Sequence, residues 1–411
     1  MQNSWTGGQY SIFRICFGLY LFIHFAYLSF WAAELFSNKG MIPEAALSPL
    51  LPAFPNILGL IDDPAFVTGL SIAAAAAALA FAVGYGDRIA AIFMWLVLAS
   101  FLGRNPLITN PAMPYAGWML LAHAFIPSAP YGSLAGRNRV DPRGDWRLPP
   151  RLFLAAWIVL ALSYSYSGYT KLLSPSWVAG ENIQYVLTNP LARDWILRDI
   201  FLALPPIYLK LLTWFILIVE LFFAPLCLWK ALRPWLWGIM LFVQFGFAFL
   251  LNFPDLTIAM LLFHMFTFDP NWLKASNMKG TIVFYDGNCA LCHGSVRFLL
   301  SEERDGTLQF APLQGKLFEN TLRGARRDDL GDTFVVVTPD GDVLTESDAV
   351  VHILEGIGGL WRFLSLGLRY VPRRLRNWAY HFIGDRRYRV FGTKSDFCPL
   401  IPSELKSRIL S

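Results

Sequence analysis

Two cysteines three residues apart, Cys289 and Cys292, are the side chains of this sequence best suited to chemistry. They follow an apolar run at residues 281–285 and a turn at 286–288, and they begin a stretch with helical apolar spacing. Residues three apart on a helix share a face, so the two sulfurs are close enough to form a disulfide. Unpaired amide groups and the helix dipole stabilise a thiolate there, and the thiolate is the nucleophile of disulfide exchange. The spacing therefore predicts a redox-active pair.

The two sulfurs are expected to have different roles. Cys289, nearer the helix start and expected to be the more exposed, attacks a substrate disulfide, and Cys292 resolves the mixed disulfide. Asp286 either relays a proton to Cys292 or is a turn residue that accepts the amides after it. Cys398, far along the chain, is either a third redox partner or a buried thiol.

Three other kinds of site fit the cysteine pair. The C-x-x-C-H sequence at 289–293 matches covalent haem attachment. The strand predicted before it disfavours that use, as does the cytoplasmic location of this part of the chain that is inferred from the basic residues below. A zinc site would need Cys398 with His293 or His381 as further ligands. The third alternative is a pair of inert cysteines on a packed helix. We predict redox use without a metal.

Composition divides the chain into two parts. Of 411 residues, 55% are hydrophobic and 15% are charged, and charge is sparse up to about residue 268 but dense after residue 279. This predicts a polytopic α-helical membrane domain at residues 1–273 and an α/β domain at 280–411. The net charge of +5 is too small to indicate nucleic-acid binding, and five dispersed cysteines do not make a disulfide scaffold.

Eight apolar segments are candidate membrane spans, at residues 13–36, 66–84, 89–103, 115–126, 152–172, 207–229, 235–251 and 256–268. Basic residues cluster at 131–151, 230–233 and 274–279, which eight spans place on one side of the membrane. The positive-inside rule makes this side cytoplasmic. We therefore expect an integral protein of the cell (inner) membrane with both termini and the cysteine pair in the cytoplasm. A disulfide in that reducing compartment is transient and catalytic.

Ionisable groups inside apolar spans need a physical reason. Arg14 and Lys171 lie near predicted span ends, where a long side chain can extend to the interface. Glu220 is in the middle of a span, as a neutral or paired packing residue or as a site residue paired with Arg14 or Lys171. These three residues form a candidate membrane site.

The membrane part has a family resemblance. The segment 164–185, the sequence SIFRICFGLYLF around Arg14 and the span containing Glu220 resemble the HTTM domain, which is related to vitamin K-dependent gamma-carboxylase. In the carboxylase, a lysine in a similar context is the base that activates reduced vitamin K, and the matching position is Lys171. The resemblance implies a quinone-like or lipid-binding cavity near Lys171. It does not imply carboxylation, because the carboxylase's luminal domain has no counterpart here.

The C-terminal part has a second, closer resemblance. Its predicted elements are strands at 307–310, 333–338 and 343–345 and helices at 315–324 and from 347 to 354, in the order of a thioredoxin-like fold. Y-D-G-x-C-x-x-C at 285–292, F-A-P-L-Q at 310–314, S-D-A-V at 347–350 and R-Y-R-V-F-G at 387–392 resemble the DCC family of thiol-disulfide oxidoreductases. The resemblance implies a thioredoxin-like fold with a C-x-x-C redox site. Thioredoxins place a cis-proline against their cysteines, whereas residues 331–333 contain no proline, so substrate docking is expected to differ.

The segment 359–390 is rich in arginine and aromatic residues. Beside a membrane domain, this composition predicts a pair of interfacial helices on the cytoplasmic leaflet. The expected partners are the lipid bilayer, a protein or small-molecule disulfide or thiol, and a quinone, with no nucleic acid.

The sequence thus predicts a membrane-tethered thiol-disulfide oxidoreductase, with coupling to a quinone or lipid in the membrane domain as an extension. An alternative is a transporter or lipid-binding protein with a regulatory redox-sensor domain. A third is quinol-dependent base chemistry at Lys171. The predicted orientation puts Lys171 and Cys289 on opposite sides of the membrane, which argues against a single shared active site.

Overall fold

The computed structural model describes residues 4–108, 110–128, 132–136, 144–303, 305–322, 333–393 and 403–410. Cys398, residues 331–332 and residues 131 and 137–143 of the basic loop lie outside these ranges. The described residues divide into two compact units. One consists of residues from Phe13–Ile126 and Pro149–Phe268, and the other of residues from Gln2–Ile12, Pro127–Leu148 and Asp269–Ser411.

The apolar part of the chain is helical. Its helices are α1 (Gly7–Ser29), α2 (Ala32–Phe36), α3 (Pro64–Val83), α4 (Asp87–Arg104), α5 (Met113–Ala124), α6 (Pro150–Leu172), α7 (Pro175–Val178), α8 (Asn182–Thr188), α9 (Ile196–Leu202), α10 (Pro206–Leu221), α11 (Phe223–Leu226), α12 (Arg233–Leu250) and α13 (Pro254–Thr267). Short 3₁₀ turns occur at Ala45–Leu47, Ile57–Gly59 and Pro106–Ile108.

Four of these helices, α1, α3, α6 and α12, are long and apolar enough to cross a membrane. A fifth span is obtained if α9 and α10, bent by 102°, are counted as one segment. The predicted number of eight spans is not confirmed. α5 and α13 have 12 and 14 residues. At 1.5 Å per residue, they reach only about 18 and 21 Å across a hydrocarbon layer about 30 Å thick.

Local sequence explains how α3 is bounded and how closely α6 approaches α10. The Asp63 carboxylate caps α3 by accepting the amides of Ala65 and Phe66, each at 3.1 Å. The helix ends at Gly84, whose φ of 70° is a left-handed conformation that glycine adopts without strain. On α6, a Cβ at Gly168 would lie 2.3 Å from the Leu221 amide nitrogen, so only glycine permits this approach.

The second unit contains a four-stranded mixed sheet. Its elements are β1 (Ile282–Tyr285), α14 (Ala290–Glu302), β2 (Gln309–Pro312), α15 (Lys316–Thr321), β3 (Val335–Val337), β4 (Val343–Thr345), α16 (Glu346–Ile357), α17 (Gly359–Tyr370), α18 (Arg373–Gly384) and α19 (Arg387–Phe391). The strand order is β2-β1-β3-β4. β1 is parallel to β2 and antiparallel to β3, and β4 is antiparallel to β3.

Alternation along β1 produces two apolar layers. Val283 and Tyr285 belong to a core that includes Val296 of α14 and Ile353 of α16. Phe284 points to the opposite face, where its ring meets that of Phe318 at 5.0 Å between centroids. Because β1 is central and buried, the turn that follows it has a fixed position.

The N-terminal residues of the second unit are fastened by a buried carboxylate. Glu302, only 3% exposed, accepts the Gly8 amide at 2.9 Å and the Trp361 indole N–H at 2.7 Å, and Thr6 also donates to it. The Gln9 side chain in turn accepts the amide of Leu360 at 3.1 Å. A buried charge is tolerated only with such partners, so these contacts fix residues 6–9 at the start of α1.

Candidate functional site

The cysteine pair lies at the start of α14, just after the turn that connects β1 to this helix. Cys289 is the residue just before α14, and its amide donates to the Asp286 carbonyl at 3.3 Å. Cys292 follows in the first turn of the helix. The two sulfurs and a carboxylate oxygen of Asp286 lie within 4.8 Å of one another. The strand, turn and helix predicted from the sequence therefore bring all three residues together.

The expectation that Cys289 is the more exposed cysteine is wrong. Cys289 is completely buried, whereas Cys292 is partly exposed. The cover comes from the residues just after α19: Thr393 forms an antiparallel bridge with Cys289, and the Ala290 amide donates to the Gly392 carbonyl at 3.3 Å. A segment so distant along the chain gives no local sign of this contact. Residues 392–393 therefore lie directly against Cys289.

Asp286 is held by donors from three parts of the chain. Its Oδ1 accepts the Asn288 amide at 2.9 Å and the Gln314 side-chain amide at 3.0 Å. Its Oδ2 accepts the Tyr388 hydroxyl and faces Arg387 Nη2 at 3.4 Å. Sequence reasoning quoted Gln314, Arg387 and Tyr388 as parts of family motifs but assigned them no role.

These contacts change the acidity of the site. Burial opposes ionisation of Asp286, but the hydrogen bonds from Tyr388, Asn288 and Gln314 and the Arg387 charge outweigh it and lower the pKa of this carboxyl. Burial, followed by the hydrogen bond and charge of neighbouring Cys289, raises the pKa of Cys292 to about 12, although Arg387 acts in the opposite direction. Cys292 therefore retains its proton at neutral pH.

The histidines considered for a zinc site have other partners. The His293 ring pairs through Nε2 with the Gly287 carbonyl at 2.7 Å, and the His381 ring pairs with Glu346 at 2.9 Å. Cys398 lies outside the described residues. Asp286, Cys289 and Cys292 are the group of potential metal ligands found among the described residues, and Asp286 is already occupied by hydrogen-bond donors.

In the first unit, Lys171 and Glu220 form an ion pair. Glu220 is 3% exposed, and the Lys171 ammonium lies 4.4 Å from the centre of the Trp177 ring. The pair borders a cavity of about 180 Å³, which is also lined by Tyr164 and Gln244. Gln244 donates to the Tyr164 hydroxyl at 3.1 Å. The sequence left Arg14 and Lys171 as possible partners of Glu220, and in the structure the partner is Lys171.

Arg14 is not the partner of Glu220. Its guanidinium donates to the Ala82 carbonyl at 3.4 Å and is near enough to Asp87 to interact with that carboxylate. The Arg14 side chain is fully buried, so it does not extend to the membrane interface, as its position near a predicted span end had suggested. The candidate membrane site therefore contains Lys171 and Glu220 without Arg14.

Paired sulfurs at a helix start beside a buried carboxylate define a thiol-disulfide type of site. Comparison with known proteins agrees: residues 283–393 match the DCC1-like thiol-disulfide oxidoreductase family. The chain belongs to this family through its C-terminal part. The family match does not extend to the apolar part, where the HTTM resemblance stays a prediction.

Two curated relatives support this assignment. An uncharacterized protein, YuxK, of Bacillus subtilis (strain 168) is 32% identical over 139 residues, which are 34% of this chain and 99% of the relative. A chloroplastic DCC family protein of Arabidopsis thaliana is 30% identical over 136 residues, covering 32% of this chain and 78% of the relative. No solved structure gives a significant match.

Proposed function

We propose that this chain is a thiol-disulfide oxidoreductase that reacts through Cys289 and Cys292. The observation that supports this most strongly is the position of the two sulfurs, at the start of a 13-residue helix and within 4.8 Å of each other. Membership of the DCC1-like family supports redox chemistry at such a pair.

The raised pKa of Cys292 leaves Cys289 as the attacking sulfur. Cys292 stays protonated because its pKa is raised to about 12, and its thiol is hydrogen-bonded to the Cys289 sulfur. Cys289 lies just before α14 and is the partner in that hydrogen bond. Since Cys289 is covered, attack requires either displacement of the segment 392–393 or entry of the substrate from the side of Cys292.

The proposed reaction transfers two electrons. The Cys289 thiolate displaces one sulfur of a substrate disulfide, which leaves as a thiolate and takes the proton of Cys292. The Cys292 thiolate then displaces the second substrate sulfur from Cys289 and closes the enzyme disulfide. A small thiol or dithiol restores the reduced pair by the reverse exchange. Asp286 acts in this scheme as a turn residue and fixed charge, since both of its oxygens already accept hydrogen bonds.

We also propose a thioredoxin-like fold for the C-terminal part and a membrane tether for the whole chain. A parallel β1–β2 pair joined through α14, followed by the antiparallel strands β3 and β4, supports the fold. Four long apolar helices support the tether. A cytoplasmic redox site in the cell membrane requires the eight spans predicted from the sequence, which put the basic residues at 131–151, 230–233 and 274–279 on one side.

The surface of α17 and α18 suits contact with a lipid bilayer. Tyr370, Trp378 and Phe382 are 91%, 64% and 50% exposed, and arginines occur along both helices. The guanidinium of Arg386 covers the Phe382 ring at 4.0 Å. Exposed aromatic rings among arginines are typical of helices that lie on an anionic leaflet.

The central test is reduction of an artificial disulfide by purified full-length protein in detergent. We expect turnover by the parent protein and none by Cys289→Ser. Cys227→Ser is the matched control, because it removes a buried thiol far from the motif along the chain. Equal activity of the parent and Cys289→Ser would refute the proposed function.

A second candidate function rests on the Lys171–Glu220 pair and its cavity. It is binding of a lipid or quinone by the membrane part, with the cysteine pair as a partner in electron exchange or as a regulatory sensor. The partly apolar cavity beside a buried ion pair supports it. Full function in cells of Cys289→Ser/Cys292→Ser, together with loss of function in Glu220→Gln, would favour the sensor alternative. Base chemistry at Lys171 requires that a quinol be consumed, and its failure to bind would exclude it.

A further inference from the structure

An apolar cavity of about 260 Å³ adjoins the cysteine pair within the second unit. Cys292 lies in its wall, and Cys289 does not. Most of the remaining wall comes from α14, the residues before β3, α16 and α18, chiefly through Phe298, Phe334, Ile353 and Ile383. Asp286 and Arg387 also line the cavity, and these two charged side chains pair with each other. Because Gly392 and Thr393 cover Cys289, this cavity reaches the sulfur pair only at Cys292.

The hydroxyl groups in the wall are already hydrogen-bonded. Tyr380 pairs with the Thr333 hydroxyl at 3.0 Å and accepts the Phe334 amide at 2.9 Å, while Ser295 donates to the Leu291 carbonyl at 3.1 Å. A polar ligand would therefore lose its water without finding free partners among these groups. An apolar ligand loses nothing there, so the lining selects apolar groups.

The size of the cavity limits what it can hold. An apolar cavity of about 150 Å³ is sufficient for benzene in another protein. A volume of about 260 Å³ therefore has room for one aromatic or branched aliphatic side chain. A side chain next to a cysteine in a polypeptide is attached within a few bonds of the reacting sulfur.

We propose that this cavity is a specificity subsite that receives an aromatic or branched aliphatic residue beside the disulfide of a polypeptide substrate. The inference rests on the proposed function and names its substrate class. Binding of that residue brings the substrate disulfide to the Cys292 side of the pair, where the partly exposed thiol lies. After residues 392–393 are displaced from Cys289, attack by the Cys289 thiolate and resolution by Cys292 follow as described, with no further reactant.

The test uses two peptide disulfides of matched sequence, with phenylalanine or serine beside the cystine. Reduced full-length protein in detergent is mixed with each peptide, and the second-order rate constants are compared. Losing one small apolar group from a hydrophobic pocket costs at least about tenfold in discrimination. We therefore expect the phenylalanine peptide to react at least about tenfold faster.

Two variants of α18 locate the effect. Ile383→Ser removes an apolar wall residue, and Ile383→Trp fills the cavity; both should abolish the preference for phenylalanine. Leu375→Ser is the control, because Leu375 is on the same helix, is 56% exposed against 53% for Ile383, and does not line the cavity. Since both positions are exposed, folding should tolerate the changes.

The outcomes separate the subsite from the reaction. Equal rates with the two peptides, or an unchanged preference in Ile383→Trp, would overturn the subsite while leaving the oxidoreductase function intact. Failure to reduce either peptide or any artificial disulfide would overturn both. A preference that disappears in the Ile383 variants and persists in Leu375→Ser would support the proposal.

Discussion

Removal of one hydroxyl group should loosen the cover over Cys289. In Tyr388→Phe the ring remains, but the Asp286 carboxylate, 3% exposed, loses a hydrogen bond. A hydrogen bond to a charged group contributes about 1.5–3 kcal/mol. Tyr388 and Thr393 belong to the same short segment. We therefore expect the variant to destabilise, by that free energy, the conformation in which this segment covers Cys289.

The expected change can be measured by alkylation. Cys289 is completely buried, so a maleimide reaches it only after the cover opens. At about 1.36 kcal/mol for each factor of ten, the lost energy predicts alkylation between about 10 and about 150 times faster. The assay follows the peptide containing Cys289 by mass spectrometry at pH 7, in full-length Cys292→Ser protein.

The control for this experiment is Val390→Ala. Val390 is 65% exposed on the same short helix, so its truncation should leave the alkylation rate unchanged. A rate in Tyr388→Phe within about twofold of its parent would refute the idea that the Asp286 contact holds the cover closed.

The same variant should show a defined pH dependence. Folding lowers the pKa of Asp286, so the stabilisation from its ionised form is present above the unfolded pKa of about 3.9 and is lost as pH falls through the folded pKa. The melting temperature of Tyr388→Phe should therefore lie below that of the parent at pH 7, and the difference should shrink as the pH falls below the unfolded pKa of about 3.9. A constant difference would mean that the hydroxyl acts independently of the carboxylate charge.

Three further predictions concern stability. Glu220→Gln leaves the Lys171 charge buried without its partner and should lower stability by about 3–5 kcal/mol, whereas Lys171→Met/Glu220→Leu should recover most of it in detergent melts; an equally unstable double variant would contradict this. Gly168→Ala should cost about 1–3 kcal/mol because its Cβ meets the backbone of α10, while Gly238→Ala, with open space around it, should not be destabilising. The pKa of Cys292 is raised to about 12, so its protonated thiol stabilises the folded state fully below the unfolded pKa of about 8.5, and this stabilisation is lost as pH rises toward 12. The difference in melting temperature between the parent and Cys292→Ser should therefore change over that pH range.

Local pattern was sufficient to predict the elements around the cysteines. Apolar runs and a D-G turn predicted strands at 281–285 and 343–345, and the structure has Ile282–Tyr285 and Val343–Thr345. The strand predicted at 307–310 is Gln309–Pro312, displaced by two residues. Strand and helix type depend on neighbouring side chains, which the sequence displays directly.

Contacts between distant segments could not be predicted from local sequence patterns. The burial of Cys289 depends on Gly392 and Thr393, and the charge on Asp286 depends on Arg387 and Tyr388. These segments are about a hundred residues apart, and no periodic pattern links them. The eight predicted membrane spans are not confirmed, because apolar content alone does not give helix length and four of the described helices are long and apolar enough to cross a membrane.

The carboxylate of Glu302 has a consequence for dissecting the protein. Its donors include Thr6 and Gly8, and Gln9 accepts the Leu360 amide, so residues near the start of the chain complete the hydrogen bonding of a unit that is encoded mainly after residue 268. A fragment cut after the last apolar helix would contain both cysteines yet leave a buried anion short of two donors. Appending residues 4–12 through a flexible linker is the direct way to supply those donors to an excised redox domain.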